Sequence, residues 1–393
     1  MTQEREERLI GLCRELLRLP SLSGQEEAVA RHIQRTMEAY GFDRAEIDRC
    51  GSVVGTIQGN RPGPTVLMDG HIDTVPVSDP SQWTHDPYGA EIVDGKIYGR
   101  GASDMKGSVA AMISAAAHFA QDTHRDFAGR VCVSCTVHEE CFEGVSSREV
   151  IRNVRPDCVI IGEATSTTLK IGQRGRAEVV VETRGVTCHS SSPEKGVNAV
   201  YHMCALIHEI RKIRPNTHPL LGQGILELTD IVSAPYPGAS VVPGLCRATF
   251  DRRTLVGETE DSVLDQIRAA TDRTQTAIPG LKARAYLAEG SERCWTGDTI
   301  AAKRFFPAWA MEEDHPLVQK ALAGLEEAGI HAPLSHFAFC TNGSAFCGEA
   351  GIPTVGFGPS LETLAHVVDE YIEIDQLTRA CRGFAGILGQ LCR

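Results

Sequence analysis

The chain lacks a surplus of positive charge: 39 Lys and Arg stand against 51 Asp and Glu, a net charge of −12. A nucleic-acid binder normally presents a basic face, and anionic membrane surfaces attract one, so neither partner is expected. No apolar run has the makings of a membrane span. The longest charge-free stretch, residues 328–348, is broken by Pro333, Ser335, His336 and Asn342. The opening residues, Met1 to Glu7, are charged and lack an apolar run, so no secretory leader is expected and the expected location is cytoplasmic. Internal repeats and low-complexity linkers are also missing. Cysteine is plentiful, at 14, but scattered. Cys132 and Cys135 form a CxxC inside a strand-like run, and no second pair follows at zinc-finger spacing. Buried free thiols of a reducing compartment are therefore expected.

What is present is an ordinary globular composition, with 42% hydrophobic and 23% charged residues. The 393 residues suggest two or three domains and can bury a full core without disulfides. Leu9, Leu12, Cys13, Leu16 and Leu17 mark a first helix, stopped by Pro20. Ser23 and Glu26 have capping-box spacing before a second, with Val29, Ile33 and Met37. Arg130–Val137 and Cys158–Ile161 read as strands buried on both faces. Alternating strands and helices predict an α/β fold with a central mixed sheet flanked by helices. The middle of the chain changes rhythm to β-α-β-β-α-β, a complete ferredoxin-like unit. The expected domains are a catalytic part over 1–173, an inserted α+β domain over 174–289, and the rest of the catalytic part over 290–393.

Five segments set His, Asp or Glu at strand ends, the edge where open α/β sheets bind ligands. His71 follows the run Thr65–Met68, and Asp73 two residues on points the same way. A carboxylate so placed can orient a metal-bound imidazole. Asp104 lies in the glycine-flanked turn Gly99-Arg100-Gly101-Ala102-Ser103-Asp104-Met105-Lys106-Gly107, where one carboxylate oxygen could go to each of two cations. Glu139 and Glu140 end the strand before them; adjacent buried acids are costly unless cations neutralise them. Glu163 ends Cys158–Ile161, and His366 lies in the loop after Thr354–Phe357. Taken singly, each is more often a cap or a solvated charge. Jointly they suit a pair of divalent ions such as zinc.

These segments resemble the dinuclear metallohydrolases of the M20 peptidase family, which include carboxypeptidases, aminoacylases and succinyl-diaminopimelate desuccinylases. The resemblance spans nearly the whole chain. It implies that His71 and Glu163 hold one metal, Glu140 and His366 the other, and Asp104 bridges them. It further implies Asp73 as partner of His71, Glu139 as general base and a cis Asp104–Met105 peptide. The metals would most often be zinc, with cobalt or manganese as alternatives. Glu at position 163 resembles carboxypeptidase-like and deacylase members, whereas aminopeptidases tend to have Asp there. The inserted domain is similar to the family's lid and dimerisation domain, which implies a homodimer with His189 reaching the partner's site. Arg253, in Asp251-Arg252-Arg253, resembles the Arg that meets a substrate carboxylate. Ser240 and Asn342 fall at positions that line the substrate side in relatives, although Ser240-Val241-Val242-Pro243 and Cys340-Thr341-Asn342-Gly343 depart from the common pattern. With Trp295-Thr296-Gly297 and Glu313-Asp314-His315, they look closest to a subgroup linked to selenium metabolism.

The expected function is metal-dependent hydrolysis of an amide in a small N-acyl amino acid or dipeptide-like molecule. An aminopeptidase or an N-carbamoyl amidohydrolase on the same scaffold is the alternative. A metal-binding protein without catalysis is a third reading, and Glu139 beside Glu140 speaks against it, since a pure binder needs no base.

Overall fold

The computed structural model describes residues 1–393. The chain forms two compact units. One comprises Met1–Gln173, Ser291–Ala301 and Trp309–Arg393; the other comprises Arg174–Gly290 and Ala302–Ala308.

The first unit is built on a nine-stranded mixed sheet. Its middle strand, Arg61–His71, runs parallel to Ala128–Thr136 on one side and to Cys158–Ile161 on the other. Thr354–Gly356 continues the parallel set beyond Cys158–Ile161. Val53–Gln58 and then Arg44–Ile47 extend the opposite side antiparallel. Strand alternation divides the faces. Leu67, Cys132, Val159 and Ile161 pack with Val150 and Val154 of helix Ser147–Val154. On the other face Gly70 and Gly162 lie against Met105 and Met112, and a Cβ at Gly70 would fall 2.6 Å from both methionine methyls. Helix Gly107–Asp122 follows there, alanine-rich and buried from Gly107 to Ala120. The parallel strands thus end together, with both faces covered, and their carboxyl ends carry His71, Glu139, Glu140 and Glu163. His71 closes its strand, paired with Thr136, rather than lying just past it.

Two expectations need correction here. The capping box at Ser23 and Glu26 does not form: helix Glu27–Ala39 begins after Glu26, which makes no side-chain cap. Glu26 instead accepts the backbone N–H of Gly24 at 2.8 Å. Ala302–Ala308 was expected with the catalytic part, yet it belongs to the second unit. Phe305 and Phe306 pair with Ala177 and Arg176 of strand Gly175–Arg184, and Phe305 packs on that unit's core.

The second unit is an antiparallel sheet with the order Ile225–Ala234, Leu245–Thr254, Gly175–Arg184, Lys282–Leu287. Numbered along the chain this is 2-3-1-4, the ferredoxin-like arrangement. Helices Ala199–Ile210 and Glu260–Ala277 bury Met203, Leu206, Val263 and Ile267 against Val179, Val181 and Phe250. Both helices start on side-chain caps, Asn198 onto Val200 and a reciprocal Thr259–Ser262 box. Strand Ile225–Ala234 lies at the sheet edge with Ile231 and Val232 exposed.

No helix is long and apolar enough to cross a membrane.

Candidate metal centre

The strand ends and two loops of the first unit bring one group of side chains together. His71 Nε2 lies 2.9 Å from Asp104 Oδ1 and 3.4 Å from Glu163 Oε1. His366 Nε2 lies 3.2 Å from Asp104 Oδ2 and 2.9 Å from Glu140 Oε2. The two oxygens of Asp104 therefore face different imidazoles. Glu163 stands on the His71 side and Glu140 on the His366 side. Glu139 Oε2 is 4.0 Å from His71 Nε2. Within each of two sets, His71–Asp104–Glu140 and His71–Glu139–Glu163, the donor atoms all lie within 4.8 Å of one another. The Asp104–Met105 peptide is cis.

His71 Nδ1 donates to the carbonyl oxygen of Asp73 at 2.9 Å, which fixes the tautomer and leaves Nε2 for the cluster. The Asp73 carboxylate was expected to make this bond, and it lies 3.6 Å away. It accepts instead from the backbone N–H groups of Glu139 and Glu140 at 3.1 and 3.2 Å, and from the Ser23 hydroxyl at 2.6 Å. Asp73 thus ties the first acid-bearing loop to the second. This is where the Ser23 hydroxyl goes in place of a helix cap.

Glu370 is a positioning residue that sequence reasoning missed. Fully buried, it accepts from Arg100 at 2.7 Å and from the backbone N–H groups of Gly101, Ser103 and Asp104 at 3.1, 2.8 and 3.0 Å. It therefore shapes the turn that carries Asp104, while sitting four residues after His366. The available signal was an acid in that loop and a glycine-flanked turn whose N–H groups needed an acceptor.

The electrostatics are those of acids without enough counter-charge. Burial pushes the Glu139 carboxyl well above the usual range; Glu163 and Glu140 add to this while His71 opposes it. Burial and Asp104 raise Glu140 to about 7, against His366. Glu163 is also raised, by burial. Asp104 is held below its ordinary value: burial opposes ionisation, but the hydrogen bonds from His366 and His71 prevail. Asp104 and Glu140 in turn raise His366 to about 10. Burial works against protonating His71, yet Asp104 and Glu163 leave it well above the imidazole range. Each imidazole is thus flanked by carboxylates that favour positive charge at its position. Glu140 Oε1 is buried with no hydrogen-bond partner, an expensive state for a carboxylate oxygen unless something positive meets it. Imidazole nitrogen and carboxylate oxygen together fit borderline divalent metals.

Asn342, expected to contact substrate, is buried behind this cluster. Its amide donates to Asp69 at 2.9 Å and to the Thr136 hydroxyl at 2.8 Å, and its carbonyl accepts from Gly144 at 2.8 Å. That spends the side chain inside the scaffold and corrects the expectation. Three further expected residues lie in the second unit. His189 is exposed on the short strand Cys188–His189, with Nδ1 accepting from the Ser191 backbone N–H at 3.1 Å. Ser240 is exposed, and its carbonyl accepts from Ser190 at 3.0 Å. Arg253 donates from Nε to Asp251 at 2.7 Å.

A sequence model of peptidase family M20/M25/M40 matches residues 67–390. Uncharacterized protein YgeY of Escherichia coli K12 is 34% identical over 379 residues, covering 95% of this chain and 92% of that protein. Succinyl-diaminopimelate desuccinylase 2 of a Ruegeria species is 30% identical over 385 residues, covering 94% and 91%. The crystal structure of Bacillus subtilis YXEP, described as a dinuclear metal binding peptidase of the M20 family, superposes with a TM-score of 0.72 at 16% identity over 98% of both chains.

Proposed function

Because the chain belongs to peptidase family M20/M25/M40, we propose that it is a two-metal hydrolase that cleaves an amide in small N-acyl amino acids or dipeptide-like molecules. The observation that carries this reading is the division of Asp104 between His71 and His366, with one further acid beside each imidazole. Glu163 and His71 would hold one cation, Glu140 and His366 the other, and Asp104 both. Bound there, a pair of zinc ions (or cobalt or manganese) would supply Lewis acidity to an amide carbonyl and lower the pKa of a water towards ~7.

Glu139 is the acid left over. Its backbone is pinned by Asp73 and its carboxyl is buried beside the cluster. Surroundings that raise its affinity for a proton suit a group that takes one from the attacking water and returns it to the leaving nitrogen. Asp73 orients His71 through its carbonyl. Arg253, held by Asp251, offers a guanidinium for a substrate carboxylate. His189 and Ser240 would act from the lid, His189 as donor to a partner subunit's site in a homodimer. The exposed edge strand with Ile231 and Val232 supports such pairing. The scatter and burial of most of the 14 cysteines support a reducing cytoplasm.

The test is a panel of N-succinyl and N-acetyl amino acids, free dipeptides and N-carbamoyl amino acids, run on protein reconstituted with each metal. Preferred release of amine from the N-acyl compounds supports the reading. Preference for dipeptides or carbamoyl compounds moves it to an aminopeptidase or a carbamoyl amidohydrolase. Absence of any metal-dependent turnover leaves only a metal-binding protein.

A further inference from the structure

His366 is held differently from the rest of the cluster. His71, Glu139, Glu140 and Glu163 stand at or just past strand ends, and Glu370 shapes the turn of Asp104. His366 lies in a loop, and its side chain is 53% exposed where that of His71 is 1%. Apolar packing does not fix that loop, because Leu361, Val367 and Val368 are all exposed. Its backbone is nevertheless specific. Ser360, His366 and Asp369 take left-handed φ values of +66, +64 and +53°, a conformation that residues other than glycine keep only where contacts impose it.

Polar anchors supply those contacts. Before His366, the Ser360 carbonyl accepts from the Ser166 N–H at 2.6 Å and the Ser360 hydroxyl from the Ser103 hydroxyl at 2.8 Å. After it, Asp369 Oδ1 accepts from the backbone N–H groups of Thr84 and His85 at 2.8 and 3.2 Å. Between these ends Glu362 forms an ion pair with Lys170, Oε1 to Nζ at 2.8 Å. Glu362 opens the short turn Glu362–Leu364. In it Leu364 donates to the Leu361 carbonyl at 3.0 Å and Ala365 to the Glu362 carbonyl at 3.3 Å. One hydrogen-bonded turn therefore links the Glu362 anchor to His366.

Lys170 is an uncommon residue for its place. It stands inside strand Leu169–Gln173, between Ser335 of one neighbouring strand and Gly356 of the other, and it is buried. Gly356 makes room by lacking a side chain: a Cβ there would fall 3.0 Å from the Lys170 Cβ and 2.3 Å from Phe337 Cε2. Lys170 Nζ also donates to the His336 carbonyl at 3.2 Å and lies 5.6 Å from the centre of the Phe337 ring. Burying an ammonium is costly, and an apolar side chain would serve the sheet alone at less cost. What the lysine adds is a cation fixed on a strand at the foot of the His366 loop. We propose that Lys170, acting through Glu362, is a positioning residue that holds His366 in the cluster. The consequence for metal binding rests on the two-metal reading above.

The test has two arms, both on full-length protein. Hydrogen exchange followed by mass spectrometry on metal-free protein reads the loop without any metal. Lys170→Met and Glu362→Gln should each speed exchange across residues 361–369 by roughly fivefold or more, with the strand that carries His71 unchanged. Glu362 is the less buried partner, so Glu362→Gln serves alone if Lys170→Met does not fold by circular dichroism. Zinc titration of the same variants should show one of two ions weakened about 10–100-fold and the other unchanged. Lys170→Arg, which keeps the charge, should retain both ions, a rescue that general loosening of the sheet would not give. Unchanged exchange in the folded variants, or equal weakening of both ions, would overturn the proposal. A wild type that takes a single ion would count against the two-metal reading instead, and the exchange arm would still decide whether Lys170 holds the loop.

Discussion

Two buried acid groups in this molecule have opposite surroundings. In the second unit Glu182 is 1% exposed and satisfied: Arg247 and Tyr286 donate to one oxygen at 2.8 and 3.0 Å, and Arg284 to the other at 2.6 Å. Those donors, Arg284 first, hold its pKa down to about 2. In the first unit Glu139, Glu140 and Glu163 crowd together with only His71 and His366 as partners, and burial lifts all three. A carboxylate that its own chain fully neutralises is a strut. A group of carboxylates that the chain leaves short of positive charge is built to receive it from outside.

The largest effect that would break this contrast is on turnover. Glu139→Gln keeps the metal donors and cannot take a proton, so turnover should fall ~10²–10⁴-fold with metal content unchanged. His189→Ala should cost roughly 10²–10³-fold, the usual loss for one oxyanion donor. Mixed and allowed to exchange subunits, these two inactive variants should recover at most about half of wild-type activity, because one site of the mixed dimer keeps both groups. No recovery in mixed dimers verified by tagged pull-down would remove His189 from the partner's site.

Next comes the scaffold behind the metals. Glu370→Gln keeps the size but gives up the charge that Arg100 and three backbone N–H groups meet. Metal affinity, read by competition with a chromophoric chelator, should drop about 10–100-fold, with kcat at saturating metal much less affected. Unchanged affinity would show that the Asp104 turn holds its shape without Glu370.

The smallest effect belongs to the satisfied acid. Glu182→Gln should lower stability by about 1–2 kcal/mol and leave metal content and affinity alone, because Arg247 and Arg284 can still turn to water. The sign with pH follows from a depressed pKa. The ionised acid stabilises above its unfolded value, and that contribution is lost as pH falls through about 2. Wild type should therefore lose its advantage over the variant in acid, as followed by thermal melts across pH. A loss of metal affinity in this variant would blur the contrast.

The acids and imidazoles were legible because each sits at the end of a recognisable apolar strand or in a glycine-marked turn. The ferredoxin-like unit was legible from local periodicity alone. What escaped was decided by contacts far along the chain. Ser23 has cap spacing, but an acid 50 residues away takes its hydroxyl. Asn342 was expected on the substrate side, but Asp69 and Thr136 meet its amide from two strands far along the chain. Phe305 and Phe306 return to the second unit because they pair with Ala177 and Arg176, a match no local pattern displays.

The most direct measurement titrates metal-free protein with zinc in weakly buffered indicator dye near pH ~7.5. At that pH His366, raised to about 10 by Asp104 and Glu140, carries a proton, and Asp104 and Glu163 shift His71 in the same direction. A metal can take a protonated imidazole nitrogen only after its proton leaves. The account predicts about two ions bound per chain with release of roughly one proton or more for each. Saturation at a single ion, or binding without proton release, would contradict it.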